Sequence, residues 1–344
     1  MPRRLLLFVD NQILFRCRQS QFSESRLDDP ITRFNDDSFS TVATPFAKMN
    51  VPLDALNNIL REYTLRALTN QDDAINAIAG ILRRFSEELR CSFFQGMPTA
   101  AFDSAILFDR TYSSTPLRRR INFPSYSWAG WIGDLGSFLE SGSGRYKEDD
   151  RFLSFNKWLR DGTWIIWYKR SPSGVLNLVW DPAANESFPT NDPSFIGYRK
   201  RHPFQPPAAL TSRAHILTTR TTPTEQFEYD IVCRNYPLLQ FWTLTIFVNL
   251  RLVSPFLAVC ALQDSRGADC GTAGLDSFGE MPFYNSQGPF EIIILSHWND
   301  DEYNIMLIEW NGHVAERRGI GTLEKTAVAY GLPPGAVWKE ILLG

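Results

Sequence analysis

The chain is poor in the residues that build disulfide frameworks and metal centres: five cysteines and four histidines in 344 residues. Cys17, Cys91, Cys233, Cys260 and Cys270 are odd in number and form no CxxC pair. That pattern argues against a disulfide scaffold and for reduced thiols inside a cell. His202, His215, His297 and His313 are scattered without ligand spacing, so no metal site is expected. Charge of one sign is lacking too. Lys and Arg number 35 against 38 Asp and Glu, a net charge of −3, where a nucleic-acid binder normally carries a basic surplus. Long apolar runs are missing: the nearest, over 240–253, is broken by Asn249 and Arg251 and falls short of the ~18 residues of a membrane helix. The apolar stretch over 5–9 is too short for a signal peptide. A cytoplasmic protein with no membrane span and no nucleic-acid partner is the expectation.

Catalytic signatures are equally scarce. There is no GxSxG, HExxH or GxxxxGK[ST]. Gly319-Ile-Gly321 has Glu324 where a dinucleotide loop needs its third glycine, and an acidic group there would repel a pyrophosphate. The run His297-Trp298-Asn299-Asp300-Asp301-Glu302 sets carboxylates beside an imidazole, but neighbours within one turn seldom converge on one ion without further ligands. Cys260 and Cys270 read as buried or idle thiols. The basic groups Arg118-Arg119-Arg120 and 199–202 read as solvated loops, since no stacking aromatics are interleaved with them. Catalytic residues and cofactor are therefore not named, and the chain as it stands is not read as an enzyme.

Apolar and aromatic residues are plentiful, at 44% and 13%. They support packed cores, and the length allows two domains. Residues 5–9 and 13–17 around Asp10-Asn11 read as a β-hairpin, followed by a polar loop over 18–50. Leu53, Leu56, Leu60, Tyr63 and Ala67 then fall at helical spacing. A second helix is expected after a capping box at Thr69-Asn70-Gln71-Asp72, with Ile75, Ile78, Leu82, Phe85 and Leu89 on one face. Gly80 inside it suggests close packing of another element. A shorter helix is expected over 100–108. Strands are expected over 164–169, 175–180, 215–219, 227–233, 241–253, 291–295 and 303–310, with a closing helix over 321–330. Trp164, Trp167 and Trp180 read as a partly buried aromatic cluster, with a ligand-stacking platform as the alternative. The division falls at residue 135, a mainly helical part over 1–135 and a β-rich part over 136–344, α+β in sum.

The most informative stretch is Phe123-Pro-Ser-Tyr-Ser-Trp-Ala-Gly-Trp-Ile-Gly133, a rigid aromatic turn. Pro124, Ser125, Tyr126, Ser127, Trp128, Ala129, Gly130, Trp131 and Gly133 resemble the "PSWSWAGW.G" block of fungal heterokaryon-incompatibility (HET) domain proteins, with Tyr126 where tryptophan usually stands. The likeness extends to Glu62–Thr69 ("Y..R.LT"), to Asp73–Ile81 ("D.LNA..GI"), to Gly96-Met97-Pro98 ("GLP") and to the tail segments 303–310, 315–319 and 338–344. It covers about residues 4–133 and 290–344.

The family's blocks around "WID..CI.Q" and "RGWT.QE" have no counterpart here. The resemblance thus implies the C-terminal half of a HET domain plus the family's C-terminal region, N-terminally truncated, whose leading hairpin exposes a sheet edge open to a protein partner or to self-association. It implies a role in non-self recognition and programmed cell death. The alternatives are a protein- or glycan-binding module, or an NAD-consuming TIR-like enzyme once the missing blocks are restored.

Overall fold

The computed structural model describes residues 4–9, 12–17, 21–23, 50–89, 91–110, 117–136, 158–179, 223–227, 234–254, 258–277 and 288–344. The chain divides into two compact units, Met1–Ala47 and Lys48–Gly344.

The first unit is a three-stranded antiparallel meander: β1 (Arg4–Val9), β2 (Gln12–Cys17) and β3 (Gln21–Ser23). Val9 pairs with Gln12, an antiparallel register that agrees with the hairpin expected from the sequence; Asp10-Asn11 themselves lie outside the described residues. Among the described residues β1 is paired on one side only. β3 falls inside the expected polar loop and pairs with β2.

The second unit opens with helix α1 (Asn50–Thr64), which buries Leu53, Leu56 and Leu60 at the expected three- and four-residue spacing. The second expected helix starts differently. Asn70, not Thr69, caps a 3-10 turn (Gln71–Asp73) by accepting from the Asp72 amide at 3.1 Å. A second 3-10 turn (Asn76–Ile78) leads into α2 (Ala79–Leu89), whose inner face is Leu82, Phe85 and Leu89. Gly80 meets nothing within 4 Å, so no element packs on it.

Next come the short pair β4 (Phe93–Phe94) and β5 (Met97–Pro98), a 3-10 turn (Thr99–Ala101) and α3 (Phe102–Ala105), where the sequence had suggested one helix over 100–108. The pair β6 (Arg118–Arg119) and β7 (Trp131–Ile132) frames the aromatic turn.

Then the chain becomes mostly β. β8 (Tyr168–Arg170) and β9 (Leu176–Leu178) form a hairpin shorter than expected, with 164–167 outside the strand, followed by β10 (Leu238–Ser254), β11 (Val259–Gln263), β12 (Asp269–Leu275), β13 (Phe290–His297), β14 (Glu302–Asn311), β15 (Val314–Glu324) and β16 (Leu332–Leu343). The antiparallel pairings β10–β11, β11–β12, β12–β15, β15–β14, β14–β13 and β13–β10 close a ring of six strands. β10 is its spine. Along its length it also takes β8 and β16. Residues 238–246 of β10 are almost all buried, whereas 248–254 alternate, which fits covering on both faces at one end only. The expected strands over 215–219, and over 227–233 beyond Phe227, lie outside the described residues.

The closing helix over 321–330 is not formed. Gly321 belongs to β15, and only the 3-10 turn Lys325–Tyr330 is helical. The reason lies in the glycines. A Cβ at Gly321 would sit 1.9 Å from the Thr272 carbonyl oxygen, one at Gly319 2.4 Å from that of Gly274, and one at Gly271 2.2 Å from that of Thr322. β12 and β15 approach so closely that glycine is needed on both sides of the seam. This answers the question posed by Gly319-Ile-Gly321: it is a strand seam. β16 hides its strand character behind Pro333 and Pro334. They fall in a register shift between Leu332, opposite Phe247, and Val337, opposite Thr245, and so remove no ladder hydrogen bond.

Two alanine substitutions read out these opposite environments. Gly321→Ala should lower stability by about 2 kcal/mol or more, because backbone must shift to admit the methyl. Gly80→Ala should raise it by about 0.5–1 kcal/mol, since the site is open and helical. Urea melts of both variants beside the parent check the signs.

Candidate functional site

The aromatic turn is built to be buried. Pro124 to Trp131 are all buried, with Tyr126, Trp128 and Ala129 at 0% exposure. Ser127 caps the 3-10 turn Trp128–Gly130, accepting from the Ala129 amide at 3.0 Å while its hydroxyl donates to the Gln95 carbonyl at 2.7 Å. The indole of Trp128 donates to the Gly96 carbonyl at 2.8 Å, and that of Trp131 to the Ser125 carbonyl at 2.8 Å. Each large ring is thereby buried with its polar N–H satisfied. Gly96 takes a φ of 77°, and any Cβ there would strike the Trp128 indole at 2.7 Å. A Cβ at Gly130 would lie 2.3 Å from the Pro124 carbonyl oxygen. Gly133, at φ 139°, has Leu117 in the same place at 2.8 Å.

The same turn grips the ring of strands. Ser125 donates through its amide (2.9 Å) and its hydroxyl to the Gly344 oxygen, and its hydroxyl accepts from the Arg317 amide at 2.8 Å. Tyr126 donates to the Pro237 carbonyl at 2.7 Å, and burial pushes its phenol well above its ordinary pKa. These bonds join residues on the two sides of position 135.

Two arginines of the basic triplet clamp the turn from behind. Arg120, 5% exposed, donates to Gln71 Oε1 (2.8 Å), to the Ala129 carbonyl (3.2 Å) and to the Trp131 carbonyl. Arg119 donates to the Gly130 carbonyl at 3.0 Å and lies over the Trp131 ring at 5.4 Å. Burial depresses the pKa of both. The solvated-loop reading is thus corrected for Arg119 and Arg120, and only Arg118 is exposed. Nothing in the sequence distinguishes a wrapped arginine from a wet one, because its carbonyl partners carry no residue code. The cluster 199–202 lies outside the described residues.

A third arginine completes the junction. Arg317, fully buried, forms a two-bond ion pair with Asp276, with both contacts at 2.8 Å. Its remaining donors go to the carbonyls of Ile106 (3.1 Å) and Phe108, and its guanidinium stacks 3.7 Å from the Phe108 ring. Sequence reading missed it, since an arginine in a charged strand looks exposed.

The other candidates resolve as follows. Asn299 organises the 297–302 turn by accepting from the Asp301 and Glu302 amides at 2.7 and 2.8 Å, and no group of three potential metal ligands occurs among the described residues. His297 packs against Trp164 and Tyr303 with ring centroids 5.3 and 5.2 Å away. Burial first, then the Lys325 ammonium, lower its pKa to about 4. Cys91, Cys260 and Cys270 are buried free thiols whose pKa values burial pushes up to about 11, 11 and 12. They are poor nucleophiles and poor ligands. Trp164 and Trp167 are both buried but pack apart, Trp164 against His297 and Tyr303 and Trp167 against Phe102 and Phe241 while donating to Asp103 at 3.1 Å; Trp180 lies outside the described residues. A cleft of about 460 Å³ lies beside Glu291, Trp310 and Lys339, where Lys339 sits 4.2 Å from the Trp310 ring and 3.1 Å from Glu291.

No protein-family model, curated protein or solved structure matches the chain. Among the described residues no helix is long and apolar enough to cross a membrane. The geometry at the junction is that of a keystone: Arg317 binds Asp276 and two carbonyls, and the Trp128 and Trp131 indoles each bond a carbonyl of the chain.

Two perturbations test this account. Asp276→Ala strands a buried guanidinium and should cost about 3–5 kcal/mol, whereas Asp276→Leu combined with Arg317→Met should recover much of that loss. Equal losses in urea melts of the two proteins would remove the ion pair from its central place. For His297, the folded pKa near 4 lies below the ordinary 6.5, so unfolding takes up a proton between those values. This contribution is fully present above 6.5 and is lost as pH falls towards 4, at up to about 1.4 kcal/mol per pH unit. His297→Gln should flatten that part of the stability–pH curve.

Proposed function

We propose that the chain is a HET-family protein acting in fungal non-self recognition and programmed cell death, with the aromatic turn as the scaffold of its recognition body. One observation carries the reading: segments that resemble the family's separate blocks meet at one junction. Tyr63, from the "Y..R.LT" segment, stacks edge-on against Trp128 at 6.0 Å and donates to the carbonyl of Ala74 in the next block at 2.8 Å. Gly96, from the "GLP" position, accepts the Trp128 indole. Arg317 and Gly344, from the tail segments, bond Ser125 in the turn. A shared ancestry accounts for residues far apart in sequence being fixed together in this way, because each block needs the others to be buried.

In this reading the motif's role is mechanical. Buried side chains with satisfied donors hold two kinds of architecture in register, and recognition falls to surfaces they support. The test is inducible expression in a filamentous fungus, scoring growth arrest and vital-dye uptake. Joined behind the "WID..CI.Q" and "RGWT.QE" blocks of a family member, the chain should kill, and expressed by itself it should not. Trp128→Ala in the joined protein should abolish killing by removing a fully buried indole, at a cost of about 3–5 kcal/mol. Normal growth with the folded joined protein accumulating would count against the proposal.

A further inference from the structure

Four arginines are buried among the described residues: Arg110, Arg120, Arg170 and Arg317, at 1, 5, 6 and 0% exposure. Three are wrapped. Arg317 has Asp276 and two carbonyls, Arg120 has Gln71 and two carbonyls, and Arg170 has Gln240 Oε1 (2.8 Å) with the Gly174 (2.9 Å) and Thr224 carbonyls. Arg110 has nothing. None of its Nε, Nη1 and Nη2 atoms, all buried, has a hydrogen-bond partner. A guanidinium remains charged in a protein, and it is too costly to bury uncompensated. This fold satisfies its other buried guanidiniums, so the bare one calls for a partner of opposite charge.

Of the acidic groups near it in the described chain, Asp109 Oδ1 accepts from the Arg110 backbone amide at 2.7 Å. Asp134, one residue before Leu135, the bridge partner of Arg110, has its Oδ1 3.5 Å from Arg61 Nε and makes no hydrogen bond through it, so it is the counter-charge within the chain that must be separated from a bound anion. Asp276, which meets the 106–108 segment through Arg317, has both oxygens bound by that arginine. Arg110 also stands two residues after Phe108, whose carbonyl accepts from Arg317.

We propose that Arg110 is the receptor for a small oxyanion, a carboxylate or a phosphate, bound through the planar fork of its guanidinium donors. The chemistry follows from the donor set: five N–H groups in one plane and no acceptor match an oxyanion side-on in two parallel bonds. Enclosure makes such a charge-assisted pair stronger than one in water. The site lies outside the aromatic turn, and its existence does not depend on the family reading above.

The test is thermal unfolding of the full chain in chloride, inorganic phosphate or acetate at matched ionic strength, for the parent, Arg110→Met and Arg110→Lys. The parent should show a saturable rise in Tm of at least about 2 °C in one of the two oxyanions, which separates phosphate from carboxylate chemistry. Arg110→Met should show no such rise. Arg110→Lys keeps the charge but loses the fork, and should need about tenfold more anion. It also serves as the comparison if the methionine variant does not fold. No response in the parent, or the same response in parent and variants, overturns the proposal and assigns Arg110 a partner within the chain.

Discussion

Arg317 lies at 0% exposure with each of its three guanidinium nitrogens bonded to an acceptor, and in doing so it ties three stretches of chain together. Asp276 comes from just beyond β12, the carbonyls of Ile106 and Phe108 from the end of the helical region, and Arg317 itself from β15. None of the three can shift without uncovering the charge. The aromatic turn then adds to a geometry already set. Ser125 reads the Arg317 amide on one side and the Gly344 oxygen on the other. Helical and β regions are thus one mechanical body from residue 48 onward, locked by polar bonds placed where water cannot compete.

The ring of strands is held by a different physical term. Its strands bury both faces in largely apolar packing, with Phe241, Leu244, Ile292, Ile294, Ile305, Leu307 and Leu323 all essentially without exposure. Dispersion and burial dominate there, and shape is imposed by what is missing, the side chains at Gly271, Gly319 and Gly321. The ion pair and the seam meet in one strand pair, where Leu275 lies opposite Gly319 and the Asp276 amide donates to the Arg318 carbonyl at 3.0 Å. A substitution in the seam and one in the ion pair fail for different reasons.

Legibility in the sequence followed the range of the interactions. The stripes Leu53, Leu56, Leu60 and Leu82, Phe85, Leu89, and the hairpins around 10–11 and 171–174, depend on neighbours a few residues away, and their periodicity announces them. Trp128 and Trp131 were recognisable as an ordered turn because Pro, Ser and Gly restrict the backbone locally. The partners of that turn were not recognisable. Gly344, Pro237 and Gly96 contribute carbonyls, and a carbonyl has no letter in the sequence. β15 was mistaken for loop and helix start because its glycines answer to β12, some fifty residues earlier. Arg119 and Arg120 looked wet for the same reason. Their acceptors are backbone atoms of the turn they clamp.

Ser125 and Gly344 are 219 residues apart, and their bond shapes how the molecule is made. While the polypeptide emerges from the ribosome, the aromatic turn is finished long before Pro237, Arg317 and Gly344 exist to bond Tyr126 and Ser125. Non-local closure of this kind is slow, and it leaves large aromatic surfaces wet in the meantime. The nascent protein therefore remains a natural client for chaperones until the segments that carry Arg317 and Gly344 have been made.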